Sequence, residues 1–230
     1  MKATTISLMM MLFLAGGLVA QEQRSPEIQQ IGTDLMGALT GDMERFERGM
    51  QTLDSLLAKS PQDPVLKVFH GTGVFARAGG AFEKGDMANA MEFFQSGLQE
   101  MAEAVEIAPE NILVRARRGV ILISSSREMP PEMAKPLTEL AVGDFEKVLE
   151  VREKEQTFSQ GSNHKRGELL TGLADGWNRL GNAEKARGYF KRISRDLKGT
   201  VYEEKANAWL EGKPETKAAS FFACVGCHTN

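Results

Sequence analysis

Apolar residues recur three and four places apart along almost the whole chain, and in no segment do they alternate with polar ones. Phe46, Met50, Leu53 and Leu56 keep this spacing, and so do Leu169, Leu173, Trp177 and Leu180. Such a period lines one face of a helix, whereas a half-buried strand requires alternation. An all-α fold is therefore expected. The pattern breaks at Lys59-Ser60-Pro61, at Ala108-Pro109-Glu110-Asn111, at Met129-Pro130-Pro131 and from Gln156 to Asn163, all of them turn-forming stretches. With 42% apolar and 26% charged residues, the 230-residue chain is neither disordered, collagenous nor a multi-span membrane protein. A net charge of −3 argues against nucleic acid as a partner, because phosphate neutralisation needs clustered Lys and Arg.

The helical segments repeat. Leu173-Ala174-x-x-Trp177-x-x-x-Gly181-x-x-x-x-Ala186-x-x-x-Phe190 resembles the tetratricopeptide repeat, with one unit over 167–200. Gly71, Gly85, Ala90, Phe94, Ala104 and Pro109 mark a second unit over 64–111, seven residues longer in each helix. Seven residues are two helical turns, so both partners of a hairpin would lengthen together and stay matched. Gly119 with Ala141, Phe145 and Val148 marks a third, interrupted unit, and Gly49, Leu53, Leu56 and Pro61 the back half of a first. Residues 201–212 are expected to form the closing helix that covers the last apolar face of such an array. The resemblance implies antiparallel helix pairs over 21–212 and a concave face for a peptide or protein partner. In this register Val65, Val68, Thr72, Phe75, Leu113, Ala116, Val120 and Ile123 line that face, as an apolar groove or simply as core. Lys67, His70, Arg115 and Arg118 then fall on inward positions, so a slipped or rotated register is expected; Arg115 and Arg118, three apart on one helix face, could clamp carboxylates, with a solvated basic face the first expectation.

Residues 1–20 read as a secretory signal peptide. Lys2 gives a charged start, Ile6 to Ala20 is apolar, and small residues precede the polar run Gln21-Glu22-Gln23-Arg24. An N-terminal anchor is the alternative, but the run falls short of the ~20 residues a span needs. Export, to the periplasm in a Gram-negative host, is expected, with no membrane span after cleavage at Ala20.

The two cysteines of the chain stand at its C-terminal end, in Cys224-Val225-Gly226-Cys227-His228. Cys-x-x-Cys-His is the attachment motif of c-type haem: two thiols bond the vinyl groups and the adjacent His takes the iron. Export agrees with this, since the group is attached outside the bacterial cytoplasm. A disulfide, a zinc site and a thioredoxin-like redox pair are the competing readings; zinc lacks a fourth ligand here and the redox pair lacks its βαβ scaffold. One covalent haem c, held by Cys224, Cys227 and His228, is expected on a tail over 213–230. Pro214 breaks the helical pattern, setting off a terminal helix near 218–228. Phe221-Phe222-Ala223 resembles the helix before the motif in cytochromes c, but the further domain with its Met ligand does not follow in this sequence. Placement near the end is more similar to cytochromes c′.

His70 is the first candidate for the distal iron ligand, with His164 and the methionines behind it. An apolar wall of Val68, Phe75, Val120 and Ile123, with Arg115 or Arg118 pairing a propionate, would complete that site. No catalytic constellation stands out, so an electron carrier with a redox partner is expected rather than an enzyme. An interaction scaffold with a terminal disulfide, and a five-coordinate haem protein with peroxidase or gas-binding activity, are the alternatives.

Overall fold

Capping groups at the sequence breaks fix where each helix begins. The computed structural model describes residues 26–213. These form α1 (Pro26–Leu35), α2 (Gly37–Thr40), α3 (Met43–Leu57), α4 (Pro64–Glu83), α5 (Met87–Ile107), α6 (Ile112–Ser125), α7 (Pro131–Lys154), α8 (Asn163–Arg179), α9 (Ala183–Asp196) and α10 (Val201–Leu210). No strand occurs among the described residues, and the fold is all-α. Each expected break separates two helices. Asp63 accepts from the backbone N–H groups of Val65 and Leu66, and Asn111 from those of Leu113 and Val114. Such caps satisfy donors the helix leaves orphaned, at about 1 kcal/mol each. Pro131 opens α7 at no cost, because its missing N–H is one of those orphans.

The α4–α5 and α8–α9 turns are built alike. Gly85 and Gly181 take φ of +75° and +78°, and the next residues, Asp86 and Asn182, each donate back to a carbonyl five residues earlier at 2.9 Å. A left-handed residue at this position closes the Schellman motif, and Gly holds it without Cβ strain.

Neighbouring helices run in opposite directions. Lys67 meets Glu103, His70 meets Glu100 and Phe75 meets Phe94 between α4 and α5. Arg118 meets Asp144 and Ser126 meets Thr138 between α6 and α7. Phe190 stacks on Trp209 at 4.2 Å and Ser194 bonds Asn207 between α9 and α10. A Cβ on Gly97 would come within 2.7 Å of Phe75, and one on Gly119 within 2.8 Å of the Phe145 ring, so bare glycine lets both pairs approach. One apolar cluster runs from Ile31 to Ala206 through Phe46, Phe69, Met101, Leu122 and Leu173.

The reading of the apolar stripe as core holds for Val68, Thr72, Phe75 and Ile123, which are buried; the dry groove wall expected of Val68, Phe75 and Ile123 is corrected to packing between helices. Arg115 and Arg118 do not form a solvated face; both turn inward onto Asp144. The matched lengthening of the second unit corresponds to α4 and α5, of 20 and 21 residues.

Candidate functional site

The expected haem attachment residues, Cys224, Cys227 and His228, and the signal segment 1–20 lie outside the described residues. Within the described body, polar chemistry gathers in three places.

The first is between α4 and its neighbours. His70 Nδ1 lies 2.5 Å from Glu100 Oε2, and Nε2 lies 3.1 Å from Asp54 Oδ1. A carboxylate only accepts, so both ring nitrogens must donate and the ring is an imidazolium. The bond to Glu100 holds the His70 pKa above its ordinary value despite burial, with Asp54 adding to the effect. One turn away Lys67 Nζ pairs Glu103 at 2.7 Å. Lys67 and His70 therefore turn towards the neighbouring helices and are held there by ion pairs rather than by apolar contacts.

The second is the α6–α7 clamp. Arg118 donates through Nε and Nη2 to the two oxygens of Asp144, at 2.7 and 2.9 Å, and Arg115 Nη1 adds a third bond at 2.9 Å. Asp144 is fully buried. Leu140, Gly143 and Glu139 wall an open cleft of about 570 Å³ beside it. Asp144 was not singled out from the sequence, although it interrupts the apolar stripe Ala141, Phe145, Val148, and an acid on such a stripe is the signal for a buried pair.

The third runs along α8. His164 Nδ1 lies 3.0 Å from the Tyr202 hydroxyl, which donates to Glu168 Oε1 at 2.7 Å. Burial pushes the Glu168 carboxyl up, with the Tyr202 bond opposing it. Asp175, 1% exposed, takes Arg127 Nη2 at 2.6 Å.

These side chains bear directly on the ligands a haem iron would need. A ligating imidazole nitrogen carries no proton; His70 has none to offer, whereas His164 engages a single ring nitrogen among the described residues. Thioethers of Met43, Met87 and Met91 are exposed. The expected preference for His70 finds no support in its surroundings. No group of three or more His, Cys, Asp or Glu among the described residues is placed to hold a bare metal ion, and no described helix is long and apolar enough to cross a membrane. No family model, no curated protein and no solved structure matches the chain.

Proposed function

We propose that this chain is an exported haem c protein in which a tetratricopeptide-like helical array docks a redox partner and a C-terminal motif exchanges electrons with it. The observation that carries the reading is Cys224-x-x-Cys227-His228 with no other cysteine in the sequence. Cys224 and Cys227 would hold the porphyrin by two thioether bonds, and His228 would bind the iron on one face. Haem held there supplies one-electron chemistry. The array reading is supported by antiparallel neighbours, by the shared Gly85 and Gly181 turns and by α10 packed on the last pair. For the partner, Phe82 and Met87 beside the α4–α5 turn, exposed by 63% and 52%, offer an apolar landing surface.

The test is the intact mass of the exported protein, produced together with haem-attachment enzymes, compared with Cys224→Ala/Cys227→Ala. The wild type is expected to carry the added mass of one haem and a haem-staining band on a denaturing gel. The double variant loses both and keeps its far-UV helical signal, because the described helices bury a continuous apolar core of their own from Ile31 to Ala206. A wild type without haem would leave a helical scaffold with a terminal Cys pair.

A further inference from the structure

We propose that the α6–α7 cleft is a binding site for an organic monocarboxylate with a short apolar body, whose carboxylate takes the guanidinium nitrogens that Asp144 leaves over. The cleft is formed by α6 and α7 alone, and its assignment stands apart from the haem reading.

Charge is the first ground. Two guanidinium groups, Arg115 and Arg118, converge on the one carboxylate of Asp144, so the cluster holds one positive charge in excess. Arg118 is 9% exposed and Asp144 is fully buried. Charges so far from water are normally balanced by a counter-charge. Glu139 stands on the cleft wall but pairs with neither arginine.

Unspent donors are the second. Asp144 takes Arg118 Nε and Nη2 together with Arg115 Nη1, and the Pro109 carbonyl accepts from Arg115 Nε. A guanidinium carries five N–H bonds over three nitrogens. Arg118 Nη1 and Arg115 Nη2 are left without a partner among the described residues, and neither is among the unpartnered atoms sealed from solvent. Both side chains line the cleft, so these are the donors it presents to a ligand. A carboxylate accepting from two such nitrogens makes charge-assisted bonds, the strong kind.

Shape is the third. A volume of about 570 Å³ suits a small molecule. Leu140 and Pro136 stand one and two turns before Asp144 on α7, both exposed, and give the cleft an apolar wall. Gly143 lies beside them, and a Cβ there would meet nothing within 4 Å, so the bare helix leaves room for an apolar body. Glu139 sets the valence: its carboxylate repels a second negative charge on the ligand, which favours a monoanion over a phosphate dianion. The chemistry that fits, a carboxylate on an apolar body, belongs both to a free organic acid and to the C-terminal residue of a peptide.

Titration calorimetry of the full chain at low salt tests the site. Hexanoate serves as the free acid, N-acetyl-leucine as the peptide terminus and hexanamide as the uncharged counterpart. Saturable binding of hexanoate or N-acetyl-leucine is expected, at least about tenfold tighter than that of hexanamide, and the tighter acid names the source. Arg115→Gln leaves Arg118 on both oxygens of Asp144 and should weaken the acid by about tenfold. Gly143→Val fills the open space and should weaken it as much, while the thermal midpoint stays at or above that of wild type. Glu139→Gln removes the repelling charge and should tighten binding by about two- to fivefold. Equal affinity for hexanoate and hexanamide overturns the site, as does binding that survives both Arg115→Gln and Gly143→Val. Absence of saturable binding by both acids overturns it too, and inorganic phosphate binding more tightly than either acid overturns the choice of a monocarboxylate.

Discussion

The α6–α7 and α8–α9 pairs share one frame and fill it with opposite chemistry. Each first helix carries a small buried residue, Gly119 in one and Ala174 in the other. Four and one residues before it, α8 places Leu170 and Leu173, both at 0% exposure, whereas α6 places Arg115 and Arg118. Helix α4 sides with α6, since Lys67 and His70 stand at the same spacing before Gly71. Even α3 repeats the pattern, with Arg45, Arg48 and Gly49 facing Asp34 of α1. A buried Leu contributes about 1.5–3 kcal/mol by leaving water. A buried ion pair gains little net, because desolvation offsets attraction, yet it is costly to break. The α8–α9 pair thus supplies stability, and the clamped pairs supply a demand for one particular partner on the facing helix.

The largest expected effect tests that contrast. Asp144→Ala leaves the buried Arg118 and the half-buried Arg115 facing no carboxylate, at a cost of about 3–5 kcal/mol, read as a fall in the urea midpoint. Replacing all three members, Arg115→Leu, Arg118→Leu and Asp144→Leu, should recover most of the loss, as well-packed apolar side chains do for buried ion pairs. A single-variant cost below about 1 kcal/mol, the range of exposed pairs, would mean the clamp is solvated and the contrast is wrong. Leu173→Ala in the apolar pair should cost about 3 kcal/mol through lost burial and the cavity left behind, with no dependence on salt. A salt-dependent cost there would equally undo the comparison.

The same contrast explains what the sequence disclosed. The helices α8 and α9 were readable because Leu173, Ala174, Trp177 and Phe190 pack apolar faces, and helical periodicity reports apolar faces directly. In α4 and α6 the interior positions are Lys67, His70, Arg115 and Arg118, which periodicity scores as surface. Their acids, Glu100, Glu103 and Asp144, lie 26 to 36 residues away in the chain, and long-range pairing leaves no local mark. Helix ends were legible at the breaks between α3 and α4, α5 and α6, α6 and α7, and α7 and α8, because Pro, Gly, Asn and Asp act on their own neighbours. The pattern Cys224-x-x-Cys227-His228 was equally plain in the sequence, and it lies outside the described residues. The difference between His70 and His164 could not be read, because it depends on what each ring nitrogen touches.

A smaller effect separates glycines that admit a neighbouring helix from glycines that do not. Gly119→Ala drives a methyl group into the Phe145 ring and should cost about 1–3 kcal/mol as overpacking. Gly188→Ala on α9 meets nothing within 4 Å and should stabilise by up to about 1 kcal/mol, the helix propensity difference. Thermal unfolding of the two variants should therefore move in opposite directions, and equal shifts would show that Gly119 is not a point of close approach.

The smallest effect comes from His70 and sharpens the comparison through pH. Its folded pKa stands above the ordinary value near 6.5 because Glu100 and Asp54 accept from the charged ring, against the opposing pull of burial. A group raised in this way binds its proton more tightly in the folded state than in the unfolded one. Its contribution is fully present below about pH 6.5 and is lost as pH rises through the folded value. Lys67, one turn away on α4, is already paired with Glu103, so the two carboxylates facing the ring govern the effect. Asp54 is 64% exposed on its side chain, and salt will therefore weaken this term far more than it weakens the sealed Asp144 clamp. The urea midpoint of wild type should decline from pH 6 towards pH 9 with a slope that His70→Gln removes and high salt reduces. A slope that survives His70→Gln would locate the titrating group elsewhere and leave the α4–α5 pair indistinguishable, in this respect, from the apolar α8–α9 pair.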